Sequence, residues 1–418
     1  MFIVMLRPKS PFIAISLGLA AFFAFGQSLS FGFSMLDDPY LIVNNYFVHG
    51  VSFEKLHYIL THYDPELYIP VTLFTFQLSY LISGLHAWSY HAVNLIIHLL
   101  NGALLWRVLS RLEVKERVRW LTVAVFLLHP INTEAVVWIA GRKDLLAALF
   151  SLLAVEQHLT QKSRWRIAGL MVLAVLSKPS AMTLPALLII IDVFRGISAR
   201  TSVKHVWHLF LISTATAIVA LYGKTRVIHG LTGEETILLA TKSLWSYIGA
   251  FLWPVHLSPF YVQSEPISIQ SGMFQWSIAG CALLALLCSI NRSLRLAVLF
   301  FIIALSPSFL NAHKGIMTFY AVDRYVYVAL LGPIVWIAHH IDHVIYEDRT
   351  SRLSRGVIGL ILMLLIGMSM RQTAYWRSDI ALMTHALALD PSSIPARDSL
   401  ASAYRIQDRK STRLNSSH

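Results

Sequence analysis

The chain has 418 residues, 56% of them hydrophobic and 13% charged, with a mean hydropathy of +0.61. A soluble chain carries about 25% charged residues, so this much apolar surface excludes an ordinary soluble domain and points to repeated membrane spans. The formal net charge of +12 does not indicate nucleic acid, because the basic residues fall in short clusters between apolar runs, which is how membrane topology is encoded, and not in a basic groove with interleaved aromatics.

From the N-terminus, MFIVMLRPKS and the apolar stretch to about Phe33 predict an uncleaved signal anchor. The apolar part is long for a signal peptide, and AxA-like cleavage sites are poor. Further apolar runs follow at 88–106, 119–133, 144–160, 166–177, 181–194, 206–222, 274–290, 296–310, 326–345 and 356–370. With 11–33 they predict an all-α polytopic membrane protein of about eleven transmembrane helices. Several runs are short for a full crossing, which predicts tilted or broken helices. Cys281 and Cys288 share one apolar run two helical turns apart, a separation no disulfide spans.

Orientation follows from the positive-inside rule. With a cytoplasmic N-terminus, the inside receives Arg7 and Lys9, then the clusters at 107–119, 162–166, 195–204, 292–295 and 349–355. The outside receives about half as many basic residues, among them Lys55, Arg142, Lys143, Lys178, Arg226 and Arg324. This bias requires that 235–262 not cross. Lys242 and the Trp-Pro break inside that stretch favour a helix lying in the outer interface. The long loops 34–87 and 223–273, the polar loop 311–325 and the C-terminal tail are then all outside.

Most of the unusual polar chemistry falls on that outer face. SMLDDPYLIVNN places Asp37 and Asp38 directly after the first span. Adjacent carboxylates at a membrane boundary are costly unless solvated or used, and the plain alternative is an Asp-Pro turn with a cap. FLLHPINTEAVVWIAGRKDLLAALF sets His129, Glu134, Arg142, Lys143 and Asp144 around a hairpin. VLSKPSAMTLP sets Lys178 between two spans, Glu234 and Glu235 open the 223–273 loop, and AVDRYVY puts Asp323 and Arg324 at the start of another span. Each has a structural reading: His129 as a cap or a partner of Trp138, Lys178 as a snorkelling lysine, Glu134 and Arg142 as a hairpin salt bridge, Asp323 and Arg324 as a topology marker. No group has convincing metal spacing, and His57, His62 and Asp64 are too scattered to argue a site.

After Arg371 the composition turns polar. WRSDIALMTHALALDPSSIPARDSLASAYRIQDRK reads as helix, Asp-Pro stop, helix, with small residues at close-packing positions resembling the start of a tetratricopeptide repeat. Residues 371–408 hold only about one and a half helical pairs, fewer than a continuous array needs. Residues 409–418 have no apolar periodicity and are expected to be a foreign or disordered tail.

These strings together resemble the membrane half of the transmembrane and tetratricopeptide-repeat (TMTC) family of GT-C glycosyltransferases, which are related to protein O-mannosyltransferases. The resemblance rests on LDDPYLIVNN, YIPVTLFTFQLSY, WSYHAVNLIIHLLN, HPINTEAVVWIAGRKDLL, LSKPSAMTLP and VDRYVYV, in the family's order, over about residues 30–345. Two departures stand out: Ile69 replaces the usual Arg of a Tyr-Arg-Pro string, and the repeat array is nearly absent. The resemblance implies a GT-C-like membrane domain over 1–370 and a polyprenyl- or dolichyl-phosphate hexose as donor. It also implies transfer of the sugar, a mannose in the family, to a protein Ser or Thr hydroxyl on the outer face, with inversion. Asp37 would be the general base, with Asp38 as orienter or alternate. Arg324, Lys178, Arg142 and Lys143 would meet the phosphate, and Glu134, Glu235 and Asp323 the sugar or acceptor. No resident metal is expected, although a divalent cation between Asp37 and Asp38 stays open. The expected partners are membrane lipids, the lipid-linked donor and a protein acceptor. Short loops favour a bacterial plasma membrane over an endoplasmic reticulum. A transporter or flippase of lipid-linked saccharide is the competing reading, and a non-catalytic anchor for a repeat scaffold the third.

Overall fold

The computed structural model describes residues 11–64, 67–224, 231–309, 312–314, 317–347 and 351–415. Arg7, Lys9, Arg226 and Arg349 of the topology argument, and residues 416–418 of the tail, lie outside the described residues.

Six described helices are long and apolar enough to cross a membrane: Pro11–Ser30, Trp88–Arg111, Ala199–Gly223, Gly272–Ile290, Arg292–Phe309 and Gly356–Tyr375. Two bent pairs raise the number to eight if each is one span. They are Glu116–Leu128 with Pro130–Val137, bent by 50°, and Asp323–Ala329 with Leu331–Val344, bent by 61°. The all-α polytopic class therefore stands, and the protein is an integral membrane protein. The three remaining runs, at 144–160, 166–177 and 181–194, are helical but fall short as independent spans. Arg164–Ser177 has 14 residues and Leu184–Phe194 has 11, where a crossing takes about 20. Arg142–Leu159 has 18 residues but carries Arg142, Lys143, Asp144 and Glu156, all buried within the protein and away from lipid. Helix Gly233–Leu252, expected in the outer interface, contains Glu234, Glu235 and Lys242 and is not among the six.

Arg142–Leu159 is the axis of the fold, packed between Trp88–Arg111 and Arg164–Ser177. Charges collect at its two ends. At one end Glu156 pairs with Arg107 at 2.5 Å, and nearby Asp192 pairs with His158 at 2.9 Å and Arg195 at 3.6 Å. Lys115 lies 3.5 Å from Asp342. These basic residues belong to the expected inner clusters. Lys143 and Asp144 are at the other end, about 18 Å away along the helix at 1.5 Å per residue.

Arg142 is spent on packing. It is fully buried. Its Nε donates to Asn94 Oδ1 at 2.9 Å, its Nη1 to Thr75 O at 3.0 Å and Ser79 Oγ at 2.9 Å, and its Nη2 to Tyr90 O at 2.8 Å. The guanidinium joins three segments, and the expected hairpin bridge to Glu134 is not formed; Glu134 pairs with Arg324 instead. Asn94 returns the tie by donating to Trp138 O at 3.0 Å. Ile69, the departure in the first loop, is buried ahead of helix Pro70–Ser83.

Part of the expected polar loop 311–325 forms a small antiparallel sheet. Strand β1 (Tyr261–Val262), strand β2 (His313–Lys314) and strand β3 (Met317–Ala321) lie in the order β1-β3-β2. The β-prone residues Thr318, Phe319 and Tyr320 of β3 favour a paired ribbon over an open loop.

The C-terminal segment forms the expected helix pair, Asp379–Leu389 and Ile394–Asn415, broken at Asp390–Pro391. The tail from 409 continues the second helix to Asn415 instead of losing structure.

Gly141 sits where the turn before Arg142 closes on itself. A Cβ there would lie 2.6 Å from Ala135 O and 3.0 Å from Glu134 O, both backbone atoms that cannot swing away. Gly141→Ala should lower stability by about 1–3 kcal/mol, the range for overpacking a dense core. Gly169→Ala, with nothing within 4 Å of the added carbon, should be near neutral. Thermal unfolding of the two variants in one detergent checks the contrast.

Candidate active site

The first span ends in a 3₁₀ turn, Gly26–Ser30, and the chain then runs extended to the acidic pair. Pro39 opens a single helical turn, Pro39–Val43. Its fixed φ suits the first helical position, and the turn sends Asp37 and Asp38 in different directions. Asp38 points inward and is 1% exposed. It accepts the Ser34 amide at 2.9 Å and the Ala140 amide at 3.1 Å. Burial pushes its carboxyl up to about 7, the two amides oppose that rise, and the charge of Asp37 adds to it. The side chain of Asp37 is 48% exposed and receives Lys143 Nζ at 3.0 Å. The pair therefore divides into a buried clamp and an accessible carboxylate. Among the described residues no group of three or more His, Cys, Asp or Glu side chains is placed to hold a metal ion.

From Asp37 a continuous cluster of charges and rings extends inward. Lys143 Nζ lies 5.1 Å from the Trp138 ring, and the Arg324 guanidinium lies 4.7 Å from the same ring. Arg324 pairs with Glu134 through its side chain, and its backbone amide donates to Glu134 Oε2 at 3.0 Å. Lys178 pairs with Asp144 and lies 4.6 Å from the Tyr325 ring. The two pairs adjoin, with Arg324 Nε 4.0 Å from Asp144 Oδ2. Three breaks build this cluster, of which the sequence places only the one at Lys178–Pro179; the runs 119–133 and 326–345 read there as unbroken. The Leu128–Pro130 bend delivers Glu134 and Trp138, the Ser177–Pro179 break delivers Lys178, and the bend after Ala329 delivers Arg324.

Several buried polar atoms here have no hydrogen-bond partner among the described residues: Arg324 Nε, Asp144 Oδ2, Trp138 Nε1 and Thr133 Oγ1. The 4.0 Å gap between the first two is too long for a hydrogen bond. Buried donors and acceptors are normally satisfied by protein groups or ordered water. Cationic donors beside an accessible carboxylate suit a reaction in which a hydroxyl loses its proton and a phosphate leaves.

Asp37, Lys143, Lys178, Arg324 and Glu134 thus come together. Glu134 serves as the partner that orients Arg324. Asp323 is buried and turned away, accepting Tyr261 Oη at 2.8 Å and so fixing β1 to the cluster. Glu235 lies elsewhere and closes a capping box with Thr232 at the start of Gly233–Leu252. His129 caps the 3₁₀ turn Pro130–Asn132, and its Nε2 donates to Phe251 O at 2.9 Å. Three contributors were not singled out in the sequence: Trp138, Tyr325 and the pairing role of Asp144. The signal for the last was a lone acid and a lone lysine, Asp144 and Lys178, each at the same end of a neighbouring apolar run.

Among curated proteins the chain is similar to the protein O-mannosyl-transferase Tmtc2 of Drosophila melanogaster, 29% identical over 223 residues, covering 49% of this chain and 24% of the relative. It is similar to the protein O-mannosyl-transferase F38B6.6 of Caenorhabditis elegans, 23% identical over 400 residues, covering 86% of this chain and 55% of the relative. Over 88 residues it is 40% identical to human protein O-mannosyl-transferase TMTC1, covering 21% of this chain and 10% of the relative. The chain thus spans about half the length of one of these relatives and less of the others. No family model matches the chain, and no solved structure matches it. Its curated relatives are protein O-mannosyl-transferases of the TMTC kind, the family that its membrane motifs resemble.

Proposed function

We propose that the chain is the membrane part of a glycosyltransferase that moves a hexose, mannose by its relatives' name, from a polyprenyl-phosphate donor to a protein Ser or Thr hydroxyl on the outer face. The observation that carries this reading is the convergence of accessible Asp37 with Lys143, Lys178 and Arg324 around unpartnered buried polar atoms. The acceptor hydroxyl attacks the anomeric carbon of the donor while Asp37 takes its proton. The bond between that carbon and the phosphate oxygen breaks, and the polyprenyl phosphate leaves with the electron pair. Attack from the face opposite the phosphate inverts the centre. A hydroxyl is a weak nucleophile without a base in reach, and the leaving oxygen needs positive charge more than an acid. Arg324 suits that task, since a guanidinium matches phosphate geometry with paired donors. Lys178 and Lys143 flank it.

The transporter alternative calls for charges near the middle of the bilayer. Here the cations Lys143, Lys178 and Arg324 gather with accessible Asp37 at one end of Arg142–Leu159, which supports a single reaction centre.

Purified protein given a polyprenyl-phosphate mannose and Ser/Thr peptides should form glycosylated peptide. Asp37→Asn should lower turnover by at least about 100-fold, the usual scale for a removed general base, while donor still binds. Retention of full turnover in both Asp37→Asn and Asp38→Asn would sink the base assignment. Arg324→Lys keeps the charge but loses the fork. It should raise the donor KM by about tenfold, the scale of one lost charge-assisted hydrogen bond, with the acceptor KM unchanged. Initial-rate kinetics with each substrate varied in turn separates these effects.

A further inference from the structure

Two carboxylates hold the backbone before Asp37 from opposite sides. Asp38 takes the Ser34 amide from within the membrane unit. Asp379, the first residue of helix Asp379–Leu389, takes the Ser34 hydroxyl and the Met35 amide, both at 2.9 Å and both on Oδ1. The Ser34 hydroxyl in turn accepts the Leu36 amide at 3.3 Å. A hydroxyl has one proton to give and lone pairs to receive. Once that proton is committed to Asp379, the lone pairs face Leu36. Asp379 therefore orders three consecutive residues leading into Asp37, from 344 positions away in sequence.

The same C-terminal segment reaches the site a second time. Trp376 stacks on Trp138 with ring centroids 6.2 Å apart, and Trp138 is the ring beside which Lys143 and Arg324 lie. The last span, Gly356–Tyr375, which leads into this segment, is seated on the first span. Gln27 Nε2 donates to Met370 O at 2.6 Å, and Thr373 Oγ1 donates to Ala24 O at 3.0 Å. Farther on, His385 Nε2 donates to Leu257 O at 3.0 Å. Helix formation does not by itself require Asp379 to turn toward Ser34. Ser378 already caps the helix through the Ala381 amide, and an acid in the first turn adds only a modest dipole effect.

We propose that Asp379 is a positioning residue for sugar transfer. It locks Ser34–Leu36 so that Asp37 meets the acceptor hydroxyl, and it makes seating of the C-terminal helix pair a condition of turnover. The proposal rests on the reading of Asp37 as the base. The repeat segment then acts as part of the catalytic unit through the first residue of its first helix, beyond any role in holding an acceptor.

The test uses the full chain with three variants, Asp379→Ala, Asp379→Asn and Ser34→Ala, and two readouts. Asp379→Ala should lower kcat about tenfold or more, the scale of a small misplacement of a reacting group, with donor KM within about twofold of wild type. Asp379→Asn keeps an oxygen that accepts both bonds and should recover most of the loss. Ser34→Ala should lower kcat and be non-additive with Asp379→Ala, since the two share one contact. Hydrogen exchange over residues 31–45 should rise in Asp379→Ala, not in Asp379→Asn. Unchanged exchange in Asp379→Ala, or wild-type kcat despite raised exchange, overturns the proposal. If Asp379→Ala also loses protection over the helix pair, Ser34→Ala decides, and wild-type turnover there overturns it. A wild-type chain that transfers no sugar sinks the transferase reading instead, and the exchange arm still decides whether Asp379 holds the loop.

Discussion

Three buried cations at one end of a membrane protein set the terms for everything around them. Lys143, Lys178 and Arg324 lie close enough to share the rings of Trp138 and Tyr325, and unpaired they would repel one another strongly in a poorly screened interior. Each has a carboxylate: Asp37 for Lys143, Asp144 for Lys178, Glu134 for Arg324. The partners come from separate segments of the chain, so each ion pair also ties two segments together. A buried ion pair is poor evidence for added stability, because desolvation consumes most of the attraction. What it does enforce is geometry. Misplacing any one helix would leave a buried charge alone.

One short stretch, residues 134–144, supplies three of these six groups, Glu134, Lys143 and Asp144. The chain bends after Leu128, makes the brief helix Thr133–Val137, tightens into the 3₁₀ turn Ile139–Gly141 and enters the axial helix at Arg142. Successive helical residues differ in direction by about 100°, from 3.6 residues per turn. Arg142, Lys143 and Asp144 therefore point to three separate places: the packing core, Asp37 and Lys178. Ala140 offers its amide to Asp38 from the same turn. The absence of a Cβ at Gly141 lets the turn close tightly enough to do all of this at once.

Sequence alone makes the membrane class and the Pro break at Lys178 legible, because apolar run length and Pro punctuation are local properties. It identified Asp37, Lys143, Lys178, Arg324 and Glu134 as neighbours of one face but not their pairing. Glu134 was matched with Arg142 as the nearest opposite charge in the hairpin, whereas Glu134 meets Arg324 and Arg142 turns to Asn94, Thr75, Ser79 and Tyr90. Those partners lie dozens of residues away, and no local periodicity encodes them. Burial was equally invisible. Asp37 and Asp38 are adjacent and chemically identical in sequence, and only packing against Ser34 and Ala140 makes one a clamp and leaves the other accessible. The run at 144–160 reads as a span because composition cannot distinguish a helix facing lipid from one enclosed by its neighbours, and the runs at 166–177 and 181–194 form helices of only 14 and 11 residues.

On the proposed reading, the ion pairs also explain how the site handles moving charge. Before reaction Asp37 is engaged by Lys143. When Asp37 takes the acceptor proton it loses its negative charge, and its claim on Lys143 weakens. In the same step negative charge builds on the departing phosphate oxygen. Lys143 is thus released at the moment a new anion needs it, and its flexible ammonium can turn toward that anion where a planar guanidinium could not. Arg324 and Lys178 remain tied to Glu134 and Asp144, acidic groups with little exposure and no part in the proton transfer, so their positions hold through the step. A fixed pair of cations binds the donor in the ground state, and the third responds only as charge develops. Such a response favours the transition state over the bound donor, which is the condition for an interaction to raise the rate and not merely tighten binding.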